Sequence, residues 1–306
     1  MEPQAASSVL LVRPAAFGFN AEAAQSNVFA HASSDGDVQR MALAEFDGVA
    51  RRLADAAVEV LILDDTAEPV KPDAIFPNNW FTTHADGTMV VYPMASALRR
   101  RERRASDVRS LLEQAGFEIR RIINFSDSEK GSRFLEGTGS LVLDRSRRRA
   151  FASLSERTDA DLVAEFDRQL GYSTFVFEAL DPGGRPIYHT NVLLSLGTRF
   201  AVLCSEAVAP EHRESVAARI EDSGRTIVEM TFAQLRRFGC NVIELRSGSG
   251  EPVIPLSATA IKSLRPEQLR SLETFGQLVE VPIPTIEVVG GGSVRCMIAD
   301  IHLPRR

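Results

Sequence analysis

The sequence predicts an α/β protein, a single closed propeller of five units over residues 1–306, and three observations lead there. An order of elements (strand, strand, helix, strand) occurs four times at a period of about fifty to sixty residues, the mark of a repeat architecture. A fifth copy forms only if the two chain ends are joined, which would protect the terminal strand edges as radial repeats do. The residue entering the first strand of each copy is polar or nucleophilic in all five. A doubly wound sheet of similar elements is the alternative.

In the first copy, strands over 80–84 and 89–92 flank an Ala85-Asp86-Gly87 turn. A charged amphipathic helix over 102–114 follows, Gly116 stops it, and an alternating strand over 119–123 completes the unit. The second has strands at 139–144 and 150–153 around an arginine turn, a helix at 159–170, Gly171 and a strand at 174–177. The third has strands at 192–196 and 200–204 around Gly197-Thr198, a helix at 210–222, Gly224 and a strand at 227–230. The fourth has strands at 242–245 and 253–256 around a Ser/Gly turn, a helix at 266–275, Gly276 and a strand at 278–281. The fifth takes its first strand from 297–301 and its hairpin partner from 9–12. Its helix spans 39–56, with Met41, Phe46, Val49 and Leu53 on the apolar face, and its last strand spans 58–63.

At 44% hydrophobic residues the chain can bury a sizeable core, which excludes a disordered protein. Three cysteines without clustered spacing argue for a reducing compartment, and against both a disulfide framework and a structural zinc site. No segment approaches the roughly 18 apolar residues of a membrane span, and Met1-Glu2-Pro3-Gln4 lacks the basic start of a signal peptide, so a soluble cytoplasmic protein is expected. The net charge of -6 speaks against a nucleic-acid partner. Arginines cluster at 99–104 and 145–149, without interleaved aromatics, and read as solvated surface charge. A homo-oligomer stays open.

The five entering residues are Asn79, Glu136, His189, Asn241 and Cys296, with neighbours about 50 to 57 residues apart. Around an axis they would face one cavity. Cys296 follows Gly290-Gly291-Gly292-Ser293, read as a flexible loop that delivers the thiol to the start of an apolar strand. On that stretch alone, a reactive thiol and an inert core cysteine are equally good readings. Cys204 and Cys240, in or beside apolar runs, read as core. As a thiolate Cys296 would attack an electrophilic carbon, with His189 lowering its pKa and acting as general acid and base. Glu136 only accepts hydrogen bonds, so it would suit a substrate rich in N–H groups or would orient the imidazole. Metal binding is the rival use of these residue types. His31, His84, His212 and His302 show no spaced ligand pairing, so neither metal nor cofactor is expected.

Five stretches resemble the guanidine-modifying enzyme superfamily, the penteins. They are Asp73-Ala74-Ile75-Phe76-Pro77-Asn78-Asn79-Trp80-Phe81, Glu136-Gly137-Thr138-Gly139-Ser140, Tyr188-His189-Thr190-Asn191-Val192, Gly239-Cys240-Asn241-Val242 and Gly290-Gly291-Gly292-Ser293-Val294-Arg295-Cys296-Met297-Ile298. The pattern is most similar to the bacterial citrulline utilization hydrolase, or amidinotransferase-like, family. It is related to arginine deiminase, dimethylargininase, succinylarginine dihydrolase and the amidinotransferases. The resemblance covers nearly the whole chain and implies a five-bladed α/β propeller with cofactor-free covalent catalysis on a small arginine-related molecule. It implies that Cys296 attacks the central carbon of a guanidino or ureido group and that His189 protonates the departing amine and then activates water. Glu136 would hold the substrate nitrogens, and Asp73 is similar to a residue that binds the substrate α-amino group in some members. Asn78, Asn79 and Asn241 are further candidate substrate contacts.

One departure from the pattern carries weight. Where arginine deiminases and dimethylargininases have an aspartate that pairs with the guanidinium, this chain has Asn79. An amide loses the preference for positive charge but can donate to the carbonyl oxygen of a neutral ureido group. The expected reaction is therefore citrulline to ornithine, carbon dioxide and ammonia. Arginine dihydrolase, deiminase and amidine transfer remain the enzymatic alternatives, and an inactive pentein serving as a binding or scaffold protein the non-enzymatic one. For the substrate carboxylate, Arg133, Arg157 and Arg199 are all conceivable. Asn20 reads as a loop residue or part of a lid.

Overall fold

The computed structural model describes residues 2–33 and 36–306; of the stretch read for a targeting signal, Met1 lies outside that range. Five three-stranded sheets share one pairing rule, in which the middle strand is antiparallel to the first and parallel to the third. They are β3 (Phe81–Thr83), β4 (Thr88–Val91) and β5 (Arg121–Asn124), then β6 (Leu141–Asp144), β7 (Arg149–Ser153) and β8 (Ser173–Phe177). Next come β9 (Leu194–Leu196), β10 (Phe200–Leu203) and β11 (Thr226–Glu229), then β12 (Leu245–Arg246), β13 (Pro252–Ser257) and β14 (Gln277–Val281). The fifth sheet joins the chain ends. β1 (Ser8–Arg13) pairs with β15 (Ala299–Ile301), Ser8 opposite Ile301, and with β2 (Glu59–Asp64), Ser8 opposite Glu59.

A parallel pair needs a crossover, and between the middle and last strands of each sheet runs a helix of at least eight residues, preceded in two of the sheets by a shorter one, Ala97–Arg100 and Ala258–Ser263. The longer helices are Val38–Asp55, Ala105–Gln114, Ala160–Leu170, Pro210–Glu221 and Pro266–Glu273. Their boundaries follow from local chemistry. Asp159 caps its helix by accepting the Leu162 N–H at 3.0 Å, and Gly171 ends it in the left-handed region, φ 68°. The first helix buries Ala42, Phe46, Val49 and Leu53, a helical stripe in which Ala42 takes the place expected of the half-buried Met41.

The structure departs from the expected elements at the strand entries. Residues Pro77–Asn79, Gly137–Ser140, Thr190–Val192 and Val294–Met297 wind into single helical turns, and the first strand of each sheet starts only after them. The strand expected over 242–245 shrinks to Leu245–Arg246. Thr190–Val192 and Val294–Met297 carry apolar residues that run on into the strands, so a hydrophobic run cannot separate these turns from the strands they feed. Cys296 therefore stands on a helical turn rather than at a strand start.

The tri-glycine segment serves close packing rather than flexibility. It follows a helix the sequence reading did not anticipate, Pro284–Gly290, and Gly291 terminates that helix at φ 64°. A Cβ on Gly290 or Gly292 would meet the Phe76 ring at 2.8 Å, and one on Gly291 would meet Ala30 N at 2.6 Å.

Both arginine clusters prove mixed rather than uniformly solvated. Arg145 is buried, donating to Glu2 at 2.7 Å, Asp300 at 3.0 Å and the Thr83 carbonyl at 3.0 Å. His302 Nε2 meets Asp300 at 2.9 Å in the same cluster. A guanidinium can be buried there because carboxylates surround it, and the cluster ties residue 2 to β3, β6 and β15. Arg99, from the other cluster, is buried beside the candidate site.

Candidate active site

The entry turns position the candidate residues. Asn79 closes the Pro77–Asn79 turn, Glu136 and His189 immediately precede the second and third turns, Asn241 precedes β12, and Cys296 sits within the turn before β15. All five are buried, none more than 7% exposed. Glycine makes the closest approach feasible. A Cβ on Gly139 would lie 2.6 Å from Asn79 Nδ2 and 2.7 Å from His189 Nδ1, so the amide and the imidazole meet across this residue.

Glu136 orients the imidazole. Its Oε2 lies 2.8 Å from His189 Nε2 and 3.4 Å from Arg157, while Oε1 accepts the Ala95 N–H at 2.9 Å. Burial would raise the Glu136 carboxyl, but the Arg157 guanidinium, the His189 hydrogen bond and Arg99 overcome it and hold Glu136 well below the usual carboxylate range. An ionised carboxylate can only accept, so His189 Nε2 carries the ring proton and Nδ1 keeps its lone pair. Burial pushes His189 down to about 4, against the pull of Glu136, which leaves a neutral base at pH 7.

The Cys296 thiol is served by amides. Asn241 Nδ2 lies 3.4 Å from Sγ and Asn191 Nδ2 lies 4.0 Å from it. Among the described residues these are its side-chain hydrogen-bond partners, and the imidazole is not one of them. Burial raises the thiol above its ordinary value, outweighing the Ser293 backbone, Asn241, Arg295 and Arg99, which pull it down. Asn191 lies two residues beyond His189, and the Tyr188 hydroxyl donates to the Gly291 carbonyl at 3.2 Å, so one turn links the imidazole to the cysteine loop. Cys204 and Cys240 are buried in the core as expected; burial pushes the first to about 12 and the second well above its ordinary value.

Arg99 is the site residue that sequence reasoning missed. It donates twice to Glu102 at 2.9 Å, once to Asn79 Oδ1 at 2.8 Å, and lies 3.8 Å from Asp73. Its place in a run of arginines concealed it; Glu102, three residues on, was the available signal. The contact with Asn79 settles the orientation of that amide. The carbonyl is claimed by Arg99, and Nδ2 is left buried with no partner.

Asn78 faces the next sheet instead, donating to Thr138 at 3.3 Å, and its Oδ1 is also unpartnered. Of the three conceivable carboxylate partners only Arg157 reaches the site. Arg133 faces Asp161 at 3.8 Å, and Arg199 stacks over Phe275.

Residues 17–31 cover the site. Asn20 donates to Asp73 at 2.8 Å, Ala23 O and Ser26 Oγ each accept from Arg157 at 2.6 Å, and Asn27 donates to Gly291 O at 3.1 Å. Burial raises the Asp73 carboxyl against the pull of Arg99 and Asn20. The large open cavity, about 790 Å³, lies outside this cover, with Phe29 and Tyr188 in its wall.

The family model described as "N,N dimethylarginine dimethylhydrolase, eukaryotic" matches residues 13–303. No curated protein matches the chain by sequence. Among solved structures, the N-terminal domain of ArgZ covalently bound to a reaction intermediate is 16% identical, with a TM-score of 0.73, over 97% of this chain and 99% of that one. Whole ArgZ is described as an arginine dihydrolase from the ornithine-ammonia cycle in cyanobacteria. This chain spans 41% of it, at 16% identity and a TM-score of 0.73 over 98% of its own length. A dimethylarginine dimethylaminohydrolase bound to S-methyl-L-thiocitrulline is 13% identical, with a TM-score of 0.66, over 98% of this chain and 99% of that one. At these identities the likeness concerns the fold. Among the described residues no helix is long and apolar enough to cross a membrane.

Proposed function

This chain belongs to the family described as N,N dimethylarginine dimethylhydrolase, eukaryotic, a family of hydrolases, and from that premise we propose a cysteine-dependent hydrolase that converts citrulline to ornithine, carbon dioxide and ammonia. The 306 residues act as one catalytic domain in the cytoplasm, with the five sheets as the blades of a closed propeller. The observation that carries the substrate is the unpartnered amide of Asn79. Arg99 has taken its carbonyl, so what Asn79 offers a ligand is a donor, and a ureido oxygen accepts where a guanidinium does not.

Chemistry follows from the geometry. The Cys296 thiol gives up its proton to His189 as the sulfur adds to the ureido carbon, the oxygen accepts from Asn79, and the imidazolium so formed passes that proton to the departing amine. Neutral His189, oriented by Glu136, then takes a proton from water as the water attacks the thioester-like carbon. Hydrolysis frees the thiol, and the carbamate breaks down to carbon dioxide and the second amine, so one water consumed yields one ornithine and one ammonia. Asp73, freed from Asn20, would receive the α-amino group, and Arg157, freed from Ala23 and Ser26, the α-carboxylate.

Arginine dihydrolysis is the second reading, favoured by the fold likeness to ArgZ. The same donor would keep the ureido intermediate in place for a second round. Incubation with citrulline and, separately, arginine, with ornithine, citrulline and ammonia quantified, decides between them. Ornithine from citrulline supports the proposal; citrulline accumulating from arginine makes the protein a deiminase and overturns it.

A further inference from the structure

Asn241 stood in the sequence reading as a substrate contact, yet its side chain is fully engaged without one. Oδ1 accepts the Arg295 N–H at 3.2 Å, which settles which end of the amide is oxygen. Nδ2 then has two hydrogens and two acceptors, the Asn191 carbonyl at 3.3 Å and Cys296 Sγ at 3.4 Å. Turning the amide over would point its NH2 at a backbone N–H, so the donor toward sulfur is locked by the chain itself. We propose that Asn241 is the positioning residue that stabilises negative charge on the Cys296 sulfur, leaving the His189 imidazole for proton transfer alone.

Sulfur needs such a group because it is buried and His189 does not bond to it. The nearest side-chain acceptor for a thiol proton is Asn241 Oδ1, 3.7 Å away and shared with Arg295 N–H, whereas a thiolate finds the Asn241 donor in place at 3.4 Å. Asn191 adds a second, longer amide contact at 4.0 Å. The charged and titratable groups that act on the sulfur are Arg295, Arg99 and Tyr188. Arg295 is partly neutralised by Asp300 at 3.5 Å, and Arg99 is engaged by Glu102, so neither cation replaces the donor.

This inference rests on Cys296 as the nucleophile, but its test reads the sulfur with no substrate present. Thiolate absorbance in the ultraviolet, taken as the difference from Cys296→Ser across pH, reports this thiol cleanly. The subtraction removes Cys204, Cys240 and the three tyrosines, Tyr92, Tyr172 and Tyr188, all of which burial lifts above their ordinary values. Asn241→Ala should raise the titration midpoint by about one pH unit and slow alkylation by iodoacetamide at neutral pH about tenfold. Asn241→Asp, which keeps the size and the acceptor for Arg295 N–H but removes the donor, should raise it further. A residue that only braces the loop would lower the melting temperature and leave the midpoint in place, and an unmoved midpoint in Asn241→Asp overturns the proposal even if Asn241→Ala does not fold. Absence of ornithine formation by the wild-type protein would sink the citrulline reading and leave this titration untouched.

Discussion

Two buried clusters in this molecule have nearly the same parts. At the candidate site, a histidine sits 2.8 Å from a carboxylate, His189 on Glu136, with Arg157 and Arg99 beside them. In the cluster that joins the chain ends, His302 sits 2.9 Å from Asp300, with Arg145 and Arg295 beside them. What differs is where the partners come from. Arg145 is held by Asp300 of β15 and the Thr83 carbonyl of β3, which cannot leave without opening a sheet, and by Glu2. Arg157 is held by Ala23 and Ser26 of the covering segment, and Asn79 beside it keeps a donor unmatched. The lesson is that a histidine–carboxylate–arginine set becomes a site through exchangeable partners and an unmatched donor, and a staple through their absence.

The comparison breaks most sharply at the sulfur. Cys296→Ser should cut product formation about a thousandfold or more and leave the urea midpoint nearly unchanged, measured by ornithine release and by equilibrium unfolding. A paired substitution comes next. Glu136→Gln should lower activity by a factor of about 10² to 10³, because the imidazole loses both its orientation and the charge that stabilises its protonated form. Arg145→Met should instead cost about 3 to 5 kcal/mol of stability by stranding Glu2 and Asp300, with the activity of the remaining folded protein within a few-fold of wild type. If Arg145→Met abolished activity at unchanged stability, the division between site and staple would fail. A smaller effect tests the unmatched donor. Asn79→Asp should leave Arg99 its acceptor but present a carboxylate in place of the donor to the ureido oxygen, lowering ornithine formation from citrulline about tenfold.

The two clusters were unequally legible in the sequence. Asn79, Glu136, His189, Asn241 and Cys296 share one position in a repeat, and position survives translation into space even where the local element does not. The turn around Cys296 was read as a strand start, yet its sulfur meets the amide of Asn241, the entering residue of the preceding unit, at 3.4 Å. The joining of β1 to β15 was also readable, since only the chain ends could complete a fifth unit. Arg99 and Arg145 were not. Each lies in a run of arginines, and composition cannot tell which member of a run turns inward; that depends on carboxylates such as Asp73 and Asp300, remote in sequence. Of the covering segment only Asn20 was singled out, as a loop residue or part of a lid; Ala23, Ser26 and Asn27 act through loop hydrogen bonds that leave no periodic trace.

The mildest test uses pH and the two histidines. Burial lowers His189 to about 4 against Glu136, and burial with Arg145 lowers His302 against Asp300. In the unfolded chain both titrate near the ordinary value, about 6.5. As pH falls below that value the unfolded chain takes up protons that the folded protein refuses, so stability declines with acidification. For His189 the loss is complete near pH 4 and amounts to about 3 kcal/mol at most. Glutamine at either position cannot be protonated in either state, so His189→Gln should flatten the dependence by up to about 1.4 kcal/mol per pH unit between the two values and His302→Gln should flatten it in the same direction, read from urea midpoints at about pH 7 and about pH 5. Thermodynamically the pair should behave alike. Catalytically they should part, since only His189→Gln removes a base next to an unmatched donor; a His302→Gln protein as inactive as His189→Gln would place the second histidine in the chemistry and erase the distinction drawn between the clusters.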